Sequence, residues 1–376
     1  MSSPFKFNVH RLSFILNNKC NMSCSHCFQH NSYRHEVELS QKDIDDFVNF
    51  YLQIETNKEI ELTIIGGEPT LYTNCDALRN GLMKLIENGT RFKVVRLFSN
   101  GYKLNESLNS VLLFLKDYTQ SVDIWITKDI DPEIPDRVIN GRSINDFVTI
   151  SGDIYKKLGF NVYYQTVLTK RNIPRFRNVL DNIKSDKSIS ISLGYPCDDV
   201  NDLSYQDFEI MVNMFLDYIS VNDVDDDFMD RCSMNISITS PTYSKLHYPS
   251  CDPIKGELSI SPKGYLIPCV KCLDIEDLFS QYHISTIMVS EFVKDSFINK
   301  FIATDDITED GKFCRECVLK DVCVSCRLLL PLISMSDSKI KHSIHKCDRI
   351  TNFFDIKLRL IRSFIRNGGK NLWLEK

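Results

Sequence analysis

The chain lacks the marks of a secreted, membrane-spanning or nucleic-acid-coating protein. Its opening residues, MSSPFKFNVHRL, contain no charged-then-apolar signal pattern. No apolar run approaches the length of a membrane span, and the longest, Leu328 to Met335, is broken by Pro331. A net charge of −5 excludes the basic excess that accompanies broad binding to nucleic acid or anionic lipid. There is no low-complexity tract and no internal repeat beyond a β–α alternation. The expected location is cytoplasmic, with neither nucleic acid nor membrane as a partner.

Cysteine is abundant. Fourteen cysteines in a cytoplasmic chain are not expected to form structural disulfides, and clusters at short spacing then point to metal. Three lie between positions 20 and 27 and eight between 251 and 347, with only Cys75, Cys197 and Cys232 in the long interval.

From about residue 10 to 220 the pattern alternates. Strands are expected at Arg11–Leu16, Glu61–Ile65, Arg91–Phe98, Val122–Thr127, Phe160–Leu168 and Ser188–Leu193, each rich in β-branched or aromatic residues. Helices fit between them. Ser40 with Asp43 forms a capping box ahead of Ile44, Phe47, Tyr51 and Ile54. Ser143 with Asp146 repeats the device ahead of Phe147, Ile154 and Leu158, and Gly159 stops that helix. Phe176, Val179, Leu180 and Ile183 make a third stripe after Pro174. Six such units imply a parallel sheet curled into an open, TIM-like partial (β/α)6 barrel, with working residues at the C-terminal ends of the strands. The acidic stretch Val221 to Asp230 reads as a linker or surface loop. Residues 240 to 350 are irregular and poor in periodic apolar faces, so metal staples are expected there. Arg349 to Asn367 reads as a basic amphipathic helix. The expected divisions are 1–235, 236–350 and 351–376.

Cys20, Cys24 and Cys27 follow the first strand as C-x3-C-x2-C. Three thiolates on one loop suit three irons of a 4Fe–4S cluster and leave the fourth iron open to a small molecule. A zinc knuckle completed by His26 or His30 is the alternative. The second strand runs into Gly66-Gly67-Glu68-Pro69, where two glycines permit close backbone approach to a ligand and Glu68 can accept hydrogen bonds from an ammonium.

The stretch CNMSCSHCF, Cys20 to Phe28, together with the GGEP motif, resembles the radical S-adenosylmethionine (SAM) superfamily. The resemblance implies that the loop Gly66–Pro69 holds the methionine amino group of SAM. Ser99-Asn100-Gly101 is similar to the family's TNG. Ile126-Thr127-Lys128-Asp129 with Pro135-Asp136-Arg137 is similar to the stretch whose hydroxyl contacts the SAM ribose; Thr127 keeps the hydroxyl, while Ile130 and Pro135 replace the family's glycine and histidine. Phe28 matches an aromatic that lies against the adenine, or is a core aromatic.

The region 251 to 347 resembles the SPASM extension, which carries two auxiliary 4Fe–4S clusters. Cys251 is followed by twelve residues, Gly264, four residues and Cys269; then come Cys314, Cys317, Cys323, Cys326 and finally Cys347. One spacing departs from the family, x2 in place of x3 between Cys323 and Cys326. The resemblance assigns Cys251, Cys269 and Cys326 to auxiliary cluster I, and Cys314, Cys317, Cys323 and Cys347 to cluster II. The fourth ligand of cluster I is Cys272, Cys232 or absent. Zinc is the alternative metal for these C-x2-C pairs.

The implied cofactors are SAM and three 4Fe–4S clusters. The implied chemistry begins with a 5′-deoxyadenosyl radical that takes a hydrogen atom from the substrate, and an electron donor such as flavodoxin or ferredoxin is an expected partner. The expected reaction is an oxidative cross-link (carbon–carbon, as in a cyclophane, carbon–oxygen or thioether) in a ribosomally made precursor peptide. Formylglycine formation in a sulfatase is a second reading, against which Val270 stands where that subfamily has an aspartate. Epimerisation with Cys197 returning a hydrogen atom is a third, and a non-catalytic metal-stapled binding protein a fourth. Only 19 residues precede Cys20, too few for a leader-binding domain. Precursor recognition is therefore expected from a separate protein, from the barrel and SPASM surface, or from the C-terminal helix.

Overall fold

A computed structural model describes residues 9–22, 24, 27, 36–54, 59–129, 137–139, 142–167, 170–192, 205–232, 256–267 and 270–295. Six β–α units run in order: β1 (Arg11–Ile15) and α1 (Gln41–Leu52), β2 (Glu59–Ile65) and α2 (Cys75–Glu87), β3 (Arg91–Ser99) and α3 (Glu106–Leu115). After β4 (Val122–Thr127) a small hairpin, β5 (Val138–Ile139) and β6 (Arg142–Ser143), precedes α4 (Asn145–Lys157). Then come β7 (Asn161–Val167) and α5 (Phe176–Ser185), and β8 (Ile189–Ser192) and α6 (Tyr205–Val221). All six expected strands are present to within two residues. They form a parallel sheet in the order β1-β2-β3-β4-β7-β8, the α/β partial barrel that the alternation implies.

Side-chain alternation explains the layering. Leu12 and Phe14 of β1, Leu62 and Ile64 of β2, and Ile124 and Ile126 of β4 are fully buried on the outer face, where Phe14 meets Phe47 of α1 edge-on at 5.1 Å. The Ser40–Asp43 capping box forms as expected. Phe176, Val179, Leu180 and Ile183 are all fully buried on α5.

Two expectations are corrected. The second capping box does not form: the residue before α4 is Ile144, with no side-chain cap. Asn145 instead pins the helix start to the end of β4, accepting from the Asp129 N–H at 3.1 Å and donating to the Asp129 carbonyl at 2.6 Å. The buried face is Val148, Ser151, Gly152 and Tyr155, while Phe147 is 49% exposed. The cause is tertiary. Gly152 packs against the Tyr164 hydroxyl so closely that a Cβ would lie 2.0 Å from it, and this contact sets the rotation of the helix. The second correction concerns 221–230, which is not simply a linker. Asp225 accepts from the Phe228 N–H at 2.8 Å and caps α7 (Asp226–Arg231), whose Phe228 stacks on Phe215 and Tyr218.

The sheet also takes in strands from beyond residue 235. β9 (Glu257–Ile260) pairs parallel to β1 from Arg11↔Glu257 to Phe14↔Ile260, and β10 (Leu266–Ile267) turns back antiparallel to β9. Ser13 donates to Glu257 at 2.6 Å across this seam. A 3-10 stretch (Val270–Tyr282) and α8 (Val289–Asp295) complete the described residues. Among them no helix is long and apolar enough to cross a membrane. The C-terminal helix expected at 349–367 lies outside them.

The inner face of the sheet is polar at its base. Glu61 of β2 is gripped by Arg11 of β1 at 2.6 Å and Arg96 of β3 at 2.6 Å. Burial alone would raise the Glu61 carboxyl, but the hydrogen bonds from the two guanidiniums outweigh it and hold it at about 2. Beside them Asn161 donates to Asp123 at 2.9 Å.

Candidate active site

The C-terminal ends of β1, β2 and β3 converge through two loops that are sewn together by backbone. Gly67 N–H donates to the Asn17 carbonyl at 2.8 Å and Glu68 N–H to the Lys19 carbonyl at 2.7 Å. Asn17 returns a side-chain bond to the Glu68 carbonyl at 3.1 Å. The two glycines are required by this contact. A Cβ on Gly67 would lie 2.2 Å from the Lys19 carbonyl oxygen, and one on Gly66 2.8 Å from that of Asn17. The expected role of these glycines is close approach to a ligand; the approach seen here is to the chain's own loop at Asn17 to Lys19.

That loop carries Cys20, Cys24 and Cys27, all half-buried, with Cys27 N–H donating to the Cys24 carbonyl at 3.2 Å. Burial pushes the Cys20 thiol up to about 12; a backbone hydrogen bond from Met22 opposes this, and the charges of Glu68, Cys24 and Cys27 add to it. Among the described residues no group of three or more His, Cys, Asp or Glu is drawn together to hold a single metal ion. Three half-buried thiols spread along one loop suit a cluster, in which each thiolate holds its own iron. His26 and His30, which would complete a zinc knuckle, lie outside the described residues.

Glu68 is fully buried and stands at the centre of the rim. Its Oε1 accepts from the Thr70 N–H at 3.1 Å, the Thr70 hydroxyl at 2.8 Å and the Ser99 hydroxyl at 2.8 Å. Its Oε2 accepts from the Asn100 N–H at 2.6 Å. Burial raises its carboxyl above the ordinary range, and these four donors pull the other way. Pro69 opens the 3-10 turn that carries Thr70. The Asn100 side chain donates to Asn21 at 2.7 Å and points an N–H at the Cys20 sulfur at 3.9 Å. Glu68 therefore ties the second loop to the third, and Asn100 ties the third back to the cysteine loop.

This arrangement makes Glu68→Gln a structural lesion as well as a change of charge. Glutamine keeps one acceptor oxygen, but its amide N–H group meets the Asn100 N–H, donor against donor. The expected loss is about 1–3 kcal/mol of folding stability, measured by urea denaturation. A variant as stable as the parent would show that the four contacts carry no weight.

Thr127 ends β4, half-buried. Just beyond it the buried pair Asp129–Arg137, at 2.5 Å, closes the base of the segment 130–136. Asp129 and Arg137 lie in the stretches that resemble the family's, but their pairing was not foreseen, and the joints at Asn17, Asn21 and Thr70 were not either, because short polar residues in loops have no period. Phe28, Cys197, Cys251, Cys269, Cys314, Cys317, Cys323, Cys326 and Cys347 lie outside the described residues. Cys272 and Cys232 lie within them, both fully buried. The Cys232 thiol is pushed up to about 12 by burial, against the nearby charge of Arg231.

Residues 14–183 match the family described as the Radical SAM superfamily. The radical SAM cyclopropyl synthase TigE of Paramaledivibacter caminithermalis is 23% identical over 282 residues, 69% of this chain and 57% of that protein. The mycofactocin maturase MftC of Mycolicibacterium smegmatis is 26% identical over 165 residues, 43% of this chain and 38% of that one. The matched stretch thus spans between about two fifths and three fifths of these curated relatives. Among solved structures, anSMEcpe with bound AdoMet and Cp18Cys peptide superposes with a TM-score of 0.67 at 18% identity, covering 96% of this chain and 99% of that one, a likeness of fold. The segment that matches the Radical SAM superfamily runs from β1 into α5 and holds both the cysteine loop and the Gly-Gly-Glu-Pro loop, joined at one rim.

Proposed function

We propose that the protein is a peptide maturase that installs an oxidative cross-link in a ribosomally made precursor. The observation that carries this reading is the joined rim, in which three thiols, the Gly66–Pro69 loop and the Ser99–Asn100 turn meet at the C-terminal ends of adjacent strands. TigE and MftC, named as a cyclopropyl synthase and a mycofactocin maturase, support the reading. So does a related fold that holds a peptide.

Cys20, Cys24 and Cys27 would hold the SAM-binding cluster, and the loop around Glu68 with Asn100 and Thr127 would hold SAM. Together these cofactors supply a 5′-deoxyadenosyl radical that takes a hydrogen atom from the substrate. The chain's own residues do the rest. The rim fixes the cysteine loop through backbone bonds, and the inner face of the barrel aims the substrate and keeps water away. The remaining cysteine pattern, Cys251 to Cys347, would hold two auxiliary clusters, which would supply an acceptor for the electron that the substrate radical must lose, with a proton, to complete the oxidation. An electron donor of the flavodoxin or ferredoxin kind and a separate leader-binding protein are the proposed partners.

Anaerobic reconstitution should yield about twelve irons per chain, four for each cluster. Co-expression with a short precursor encoded beside the gene should give a peptide lighter by two hydrogens per cross-link in mass spectrometry. Zinc in place of iron would remove the whole reading. An unchanged peptide mass would favour epimerisation. Loss of a cysteine sulfur with gain of an aldehyde would favour formylglycine formation.

A further inference from the structure

One layer of the inner face is used by neither the cysteine loop nor Glu68. Phe98, Trp125 and Tyr163 are direct partners across β3, β4 and β7. The Phe98 and Trp125 rings are 6.2 Å apart at 21°, and the Trp125 and Tyr163 rings 4.8 Å apart at 22°. The closer spacing equals the separation of neighbouring strands, so the rings stand upright on the sheet and face one another. What they turn toward the barrel interior is their edges. Phe98 lies just below Asn100 and Trp125 just below Thr127, so the ladder sits directly under the rim.

These rings are not sealed in the core. Tyr163 is 36% exposed, and Trp125 and Phe98 are half-buried, whereas Phe14 on the outer face and Phe47 and Phe176 on helices α1 and α5 are fully buried. The Trp125 indole N–H is out of solvent with no acceptor among the described residues. An aromatic wall left accessible beneath a cofactor rim is costly unless something occupies it.

Ring edges carry the positive part of the aromatic quadrupole. Their complement is the face of another aromatic ring. A cationic side chain would meet the wrong sign, and an aliphatic one would gain contact area alone. We propose that the Phe98–Trp125–Tyr163 ladder is the recognition wall for an aromatic side chain of the peptide substrate, met edge to face. This rests on the peptide-maturase reading and names the residue class that the site accepts.

The test is equilibrium dialysis of the reconstituted holoprotein against N-acetyl-phenylalanine amide, N-acetyl-leucine amide and, separately, SAM. The wild type should bind the phenylalanine probe about fivefold more tightly than the leucine probe. Trp125→Leu should bring that ratio to about one while SAM affinity stays within about twofold. Tyr163→Leu, at the exposed end of the ladder, should lower the ratio in the same direction and carries the test if Trp125→Leu does not fold. Equal binding of both probes by the wild type would overturn the assignment. So would a fall in SAM affinity in step with the aromatic probe, since the ladder would then be holding adenine. A wild-type holoprotein that cleaves SAM but shows no aromatic preference loses this inference alone. One that does not cleave SAM loses the function it rests on.

Discussion

Replacing Cys20, Cys24 and Cys27 together by alanine should reduce SAM cleavage to background and lower the iron content from about twelve to about eight per chain. The loss is expected to be total because the three thiols are the cysteines carried by the loop that starts at the end of β1. The fold should survive. The loop is held by backbone bonds from Leu16 to Ile65, Gly67 to Asn17 and Glu68 to Lys19, none of which uses a thiol. Circular dichroism and the thermal midpoint check that part. Retention of all the iron would place the SAM-binding cluster elsewhere, and cleavage by the triple variant would end the assignment of this loop.

Gly67→Ala should be nearly as damaging by a different route. The added methyl group would lie 2.2 Å from a backbone oxygen, which has no rotamer with which to escape. Either the Gly-Gly-Glu-Pro loop or the cysteine loop must move, and the bonds from Gly67 and Glu68 to Asn17 and Lys19 are lost with it. The expected cost is about 3 kcal/mol, at the upper end for overpacking, with failure to bind SAM. Gly89→Ala is the control. Its position has φ +89 but nothing within 4 Å of the new Cβ, so it should cost only about 1–2 kcal/mol of backbone strain and leave SAM binding intact. Equal effects from the two substitutions would mean that loop contact is not what Gly67 serves.

Much of this molecule was legible in its residues, for identifiable reasons. The six strands could be read because their outer positions bury continuous apolar surface against helices, as Leu62 and Ile64 do, and turn signals bound them. Helix α1 could be read because its cap is local, Ser40 to Asp43. Helix α4 was misread because its rotation is decided by Tyr164, on another element, meeting Gly152. The acidic stretch before α7 looked like solvent-facing chain, and only the Asp225 cap and the packing of Phe228 make it a helix. At the site, cysteine spacing and the glycine pair identified the two loops. Asn100 stood out through its TNG-like turn, but its bond to Asn21 did not, and Asn17 and Thr70 were invisible because their partners are distant in sequence or generic backbone groups. Strand β9, Glu-Leu-Ser-Ile, alternates as a strand does, but nothing in its four residues names the distant β1 as its neighbour.

That strand has a consequence for how the chain comes together. Ser13 and Glu257, bonded across the seam between β1 and β9, are 244 residues apart. At ribosomal rates of about 5–20 residues per second, β1 waits some 10–50 s after its own synthesis before its second neighbour exists. During that time its free edge offers unpaired N–H and C=O groups to any passing strand. Closing so long a loop is also entropically late, so β9 should dock after the six-unit sheet has formed. The first strand of the barrel, which leads into the cysteine loop, is therefore the last to gain both of its neighbours. Folding of the rim depends on a segment from the cysteine-rich half of the chain, so a fragment cut near residue 235 would carry β1 as an open, sticky edge.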